Sequence, residues 1–162
     1  MVDIRLKNIT DENFQDYKKP SMMLATCQCD WKCLREQNLD LSLCQNSELS
    51  KQKNINISTD NIIDRYINNS ITKAIVIGGL EPFLQFNEVL GVIKQFRQKC
   101  EDDIVIYTGY YPDEIEEEVI KLKQYKNIII KFGRYIHEDS KIFDNVLGVW
   151  LVSSNQFATK IS

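Results

Sequence analysis

Short β-branched runs recur along this chain at intervals filled by amphipathic stretches, and that alternation leaves few architectures open. AIVI (74–77), DIVIYTGY (103–110) and NIIIKFG (127–133) are apolar runs of strand length. Between them, residues 86–99 place Phe86, Val89, Leu90, Ile93 and Phe96 at the spacing of a helix lying on a sheet. Pro112, Asp113 and Glu114 open a further helix reaching Gln124, since proline suits the first turn and acids complement the helix dipole. SMMLAT (21–26) reads as a buried strand and residues 54–58 as an edge strand. Thr59 or Asp60 is predicted to cap a helix ending near Ser70, with Ile62, Ile63, Tyr66 and Ile67 on one face. Residues 34–50 are polar and turn-prone, a loop with one helical turn, while VLGVWLVSS (146–154) reads as a last strand with Trp150 in the core. The predicted fold class is α/β: a mostly parallel sheet with crossover helices. A complete eight-fold α/β barrel takes about 250 residues, so 162 residues leave room only for an incomplete, partial barrel. No repeat, low-complexity tract or Pro-rich linker divides the chain, and residues 1–162 are expected to form a single domain.

Twenty Lys and Arg against twenty-three Asp and Glu give a formal net charge of −3. Binding to a phosphate backbone leans on a cationic excess, so nucleic acid is not an expected partner. The longest apolar runs fall far short of the ~20 residues of a membrane span, and MVDIRLKNITDENF lacks the apolar block of a secretory signal. The expectation is a cytoplasmic protein without a membrane partner.

Five cysteines are present, and four of them (Cys27, Cys29, Cys33 and Cys44) fall within one short window. Where no secretory signal is found, such clustering favours metal ligation over a disulfide framework. The window follows the strand at 21–26, and the carboxyl ends of parallel strands are where binding groups gather. IGGLEPF follows the next strand and YTGYYP the one after, so three loops are predicted to meet on one rim. A closed zinc site takes four protein ligands, with Cys27 available as the fourth, although one residue between Cys27 and Cys29 is a tight interval for joint ligation. Otherwise Cys27 and Cys100 read as small buried hydrophobes.

In order along the chain, these pieces resemble the radical S-adenosylmethionine family, and within it the small activating proteins of anaerobic ribonucleotide reductase and other glycyl-radical enzymes. The resemblance is carried by Cys29 and Cys33 separated by three residues, Cys44-Gln45-Asn46, Gly78-Gly79-Leu80-Glu81-Pro82, the Tyr-Thr-Gly-Tyr segment at 107–110, Gly133-Arg134-Tyr135-Ile136, and Ser-Ser-Asn-Gln at 153–156. It runs from about Ser21 onward. Ten residues separate Cys33 from Cys44 where the family usually has two, so the loop is expected to bulge outward. Leu80 is an extra residue before Glu81, and Phe132 stands where related activases often have Asp.

The resemblance implies that Cys29, Cys33 and Cys44 ligate three irons of a 4Fe-4S cluster, the fourth iron chelating S-adenosylmethionine. One electron from an external donor then cleaves the sulfonium to a 5′-deoxyadenosyl radical, which abstracts hydrogen from a protein substrate, a glycyl-radical enzyme. It implies cofactor-binding roles for Gly78 and Gly79 toward the methionyl part, Leu43 and Gln45 toward the adenine, Glu81 toward the ammonium or as a loop holder, and Thr108 at the rim. The alternative is a non-catalytic iron-sulfur or zinc binding module serving electron transfer or protein contact. His137 is expected to be exposed and without a catalytic role, and Glu114 to Glu118 to form a solvated helix face. Trp31 is placed to shield the metal or meet a partner, and Tyr110 and Tyr111 to pack at the rim.

Overall fold

The computed structural model describes residues 3–162. Its centre is four parallel strands, and the reason is burial on both faces. β2 (Ser21–Thr26), β4 (Ala74–Gly79), β5 (Asp103–Tyr107) and β6 (Ile128–Phe132) are rich in Ile and Val, and nearly every residue in them is buried. They pair in that order, in parallel. β1 (Asp3–Asn13) runs antiparallel to β2 and is followed outward by β3 (Ile55–Ser58), while β9 (Phe157–Lys160) closes the other edge antiparallel to β6. The result is one seven-stranded mixed sheet, β3-β1-β2-β4-β5-β6-β9, open at both edges rather than closed into a barrel. β7 (Ile142–Asp144) and β8 (Val149–Leu151) make a separate hairpin.

One face of the sheet is covered by helices. α1 (Lys32–Glu36) and α2 (Ser47–Ser50) belong to the loop after β2, whereas α3 (Thr59–Ile67), α4 (Phe86–Arg97) and α5 (Glu116–Leu122) carry the apolar stripes. Ile62 and Tyr66 from α3, Val89, Ile93 and Phe96 from α4, and Leu122 pack on Ile75, Ile77, Ile104, Ile106, Ile128 and Ile130. Ser58 rather than Thr59 or Asp60 caps α3, its hydroxyl accepting from the Asn61 amide at 3.2 Å. The helix begins one residue earlier than predicted because the cap side chain comes from the end of β3. α3 and α4 each end short of the predicted boundary, and residues 112–122 divide into a 3-10 turn (Pro112–Glu114) and α5.

The opposite face carries Ala74, Val76, Val105 and Ile129, covered by Tyr17, Leu147 and Leu151 from irregular segments and the hairpin. Trp150, predicted to lie in the core, is 65% exposed. In β8 the inward positions alternate, so burying Leu151 turns Trp150 outward, where it stacks edge-on against Phe143. The predicted last strand is thus one arm of the hairpin and not a strand of the main sheet. Among the described residues, no helix is long and apolar enough to cross a membrane.

Candidate iron-sulfur site

At the carboxyl ends of the parallel strands lies a cavity of about 490 Å3. The loop after β2 forms much of its wall, and its fold follows from three local devices. Trp31 adopts the left-handed conformation at the start of α1, reversing the chain so that Cys33 sits in the first helical turn. Asn38, also left-handed, ends α1 and turns the chain again. Asp40 then caps the 3-10 turn Leu41–Leu43 by accepting from the Ser42 amide at 2.8 Å, which delivers Cys44. Those turns take up the ten-residue interval. The loop bulges outward, with Leu41 and Leu43 exposed, while Leu34 is fully buried and anchors it.

Cys29, Cys33 and Cys44 all face the cavity. The Trp31 amide donates to Cys29 Sγ at 3.3 Å and the Asn46 amide to Cys44 Sγ at 3.3 Å, donors suited to a sulfur carrying negative charge. Burial pushes the Cys29 thiol up to about 12, and burial followed by the neighbouring Cys44 raises that of Cys33. Cys29 and Cys33 are therefore poor thiolates until a metal replaces their protons. Cys27 lies outside the cavity wall, half-buried, in the field of Arg5, Glu88 and Lys7, with its amide donating to Gln85 Oε1 at 2.8 Å. Cys100 is half-buried against the helical core. Among the described residues, no three His, Cys, Asp or Glu side chains converge closely enough to hold one metal ion. The donor chemistry fits a cluster, which spreads its thiolates over separate irons.

Gly79 lines the cavity in a conformation (φ +83°) that side chains avoid, and a Cβ there would meet the Ala25 backbone at 2.9 Å. Its carbonyl accepts from Asn46 Nδ2 at 2.7 Å, tying the third-cysteine turn to the end of β4. Gln45 and the extra residue Leu80 also face the cavity. Gly78 and Leu43 do not: Gly78 is packed beneath, between Met23 and Tyr107, and Leu43 turns to solvent.

Glu81 is 6% exposed. Its carboxylate accepts from Thr108 Oγ1 at 2.7 Å, the Gly109 amide at 2.9 Å and the Phe83 amide at 3.1 Å, so it holds the β4 and β5 ends together. Burial pushes its pKa up to about 7 in spite of those donors. Thr108 contributes its hydroxyl to that clasp and faces the cavity as well.

Gln37, Asp30, Lys32 and Glu36 gave no signal in the sequence, yet they take part in the site. Gln37 Nε2 donates to the carbonyls of Cys33 and Tyr135, both at 2.7 Å, and the His137 amide donates back to Gln37 Oε1. Tyr110 donates to Asp30 Oδ2 at 2.6 Å, Lys32 pairs with Glu114, and Arg134 pairs with Glu114 at 2.5 Å and Glu36 at 2.6 Å. These contacts fasten the cysteine loop to the loops after β5 and β6. Glu114, read as part of a solvated face, is instead held down to about 2 against its own burial by Lys32, the Tyr111 amide and Arg134. Lys131 is a buried lysine on the cavity wall, its pKa lowered by burial to about 8. A lysine within IIIKF signals something, since an apolar side chain suits a buried run, but what it faces is visible only in three dimensions.

A family model described as a 4Fe-4S single cluster domain matches residues 22–158. The chain belongs to the 4Fe-4S single cluster domain family. Its domain is thereby a 4Fe-4S binding domain, and the matched span runs from β2, through all the cavity-lining cysteines, into β9. No curated protein and no solved structure matches the chain.

Proposed function

We propose that this 4Fe-4S domain is a radical S-adenosylmethionine enzyme in which Cys29, Cys33 and Cys44 hold the cluster. The observation that carries the reading is the number three: three cysteines share one cavity, and the fourth of the window is turned toward Arg5 and Glu88. Three thiolates serve three irons of four, leaving one for a small-molecule chelator. When bound, the cluster would supply one electron to the sulfonium of S-adenosylmethionine and so open a carbon-sulfur bond.

The chain's own residues have separable tasks in this scheme. Gly79 presents bare backbone to the cavity at a height set by Asn46, which suits close approach of the methionyl part. Gln45, beside the last ligand, faces the adenine side. Glu81 and Thr108 fix the rim by their mutual hydrogen bond. The parallel strands β2, β4, β5 and β6 gather their carboxyl ends around the cavity, which supports this reading. Next to the cavity, Trp150 and the neighbouring Phe143, 65% and 45% exposed, offer an aromatic surface to a protein substrate, for which a glycyl-radical enzyme is the proposed class. The electron comes from an external one-electron donor.

The test is anaerobic reconstitution with iron and sulfide, reduction with dithionite, and chromatography after adding S-adenosylmethionine. Release of 5′-deoxyadenosine is the expected result, abolished together with the cluster absorbance in Cys29→Ala, Cys33→Ala and Cys44→Ala but retained in Cys27→Ala. A fully loaded cluster that releases no 5′-deoxyadenosine would sink the enzymatic reading and favour electron transfer.

A further inference from the structure

β6 is buried over its whole length, and its alternation sends Ile128, Ile130 and Phe132 into the helical core. Ile129 and Lys131 point to the other face, where Ile129 packs on Val105 and Leu147 and Lys131 reaches the cavity wall. Lys131 is only 6% exposed. Its ammonium donates to the Gly133 carbonyl at 3.1 Å and stands 5.6 Å from the centre of the Tyr107 ring. No carboxylate among the described residues lies within 4.0 Å of it. The other cations of the cavity are paired: Lys32 with Glu114, Arg134 with Glu114 and Glu36. The acidic groups whose field reaches Lys131 are Glu81, whose oxygens are engaged by Thr108, Gly109 and Phe83, and Cys33.

A buried charge without a close partner is costly, and an anion entering the cavity offsets that cost. We propose that Lys131 is the counter-charge to the cluster at Cys29, Cys33 and Cys44 and sets its reduction potential. The inference rests on that ligand assignment. Three thiolates leave the oxidised cluster with a net negative charge, and reduction deepens it by one electron without forming or breaking a bond or moving a proton. A fixed ammonium on the wall of the cavity that the three cysteines line favours the more negative state, so it raises the potential. Lys131 is a positioning charge rather than a catalytic residue.

The full-length protein and its K131M, K131Q and K131R variants, all reconstituted anaerobically, test this by iron and sulfide content and by potentiometry against dithionite-reduced mediators with spectroscopic readout. K131M and K131Q are expected to load as much iron as the wild type, yet to be at least tenfold harder to reduce, a shift of about 59 mV to lower potential for one electron. K131R should stay near the wild-type potential. Loss of the cluster from both neutral variants with its retention in K131R also supports a counter-charge role. Unchanged potentials in fully loaded K131M and K131Q overturn it, as does loss of the cluster from K131R. Failure of the parent assignment reads differently: the Cys33→Ala variant would then keep its cluster.

Discussion

Glu81 carries the clearest pH signature of any single residue. Its carboxyl would titrate near 4.5 in an unfolded chain and does so at about 7 in the fold, chiefly because it is buried. An acid with a raised folded pKa prefers its proton in the native state. Its contribution is therefore fully present below pH 4.5 and lost as the pH rises through 7. At ~1.4 kcal/mol per unit, the loss is of the order of 3 kcal/mol across that window. Denaturant unfolding of the cluster-free protein at several pH values should show Glu81→Gln gaining on the wild type as pH rises from 4.5 to 7. A constant difference between the two would rule out titration of Glu81 in that range. Lys131 has the opposite sense: its folded pKa is lowered, so its stabilising contribution is present above pH 10.5 and disappears as the pH falls through about 8.

Among the elements, the junction of β4 with the cysteine loop is the most tightly specified. The Leu80 and Glu81 amides donate to the Thr26 and Gln28 carbonyls, and Asn46 reaches the Gly79 carbonyl, so the end of one strand holds both ends of the loop. Any side chain at Gly79 meets the Ala25 backbone as well as an unfavourable φ. Gly79→Val is expected to cost about 2 kcal/mol or more, seen as a fall in Tm of roughly 4–8 °C in the cluster-free protein. A variant that melts like the wild type would show that the Gly79 backbone is free to move. This glycine thus shapes the fold before it shapes any ligand, which the Gly-Gly pair alone did not reveal. Two other elements escaped the sequence for a physical reason. β1 alternates cleanly only at Ile4 and Leu6, its remainder being polar apart from Ile9 and largely half-exposed, and β9 has only four residues, of which Ala158 alone is buried. Both strands owe their place to the neighbours they pair with, β1 to β2 and β3 and the edge strand β9 to β6.

At the scale of the whole molecule, the cysteine loop, the loop after β5 and the loop after β6 meet around one cavity and are joined by Gln37, Asp30, Lys32 and Arg134. A cluster bound there holds the folded chain and not the unfolded one. Stabilisation by such a ligand reaches ~2.7 kcal/mol at a hundred times its dissociation constant. Anaerobic melting should place the loaded protein roughly 5–11 °C above the same protein stripped by chelator, and the gap should vanish in Cys33→Ala. Equal melting temperatures for loaded and stripped protein would separate the cluster from the loops that surround the cavity.

Periodicity by itself determined the α/β class and the positions of the central strands along the chain, because burial on both faces writes itself into Ile- and Val-rich runs. The chain order of the cysteines likewise singled out their window as a metal site. Tertiary structure decided what no local pattern encodes: which sides the thiols take, with Cys27 apart from the other three, the outward turn of Leu43 and Trp150, and the open mixed sheet. It also placed Lys131 and Glu81 on one cavity wall. Those outcomes depend on contacts between segments distant in sequence, where a left-handed residue such as Trp31 or a single bond from Gln37 reorients a whole loop.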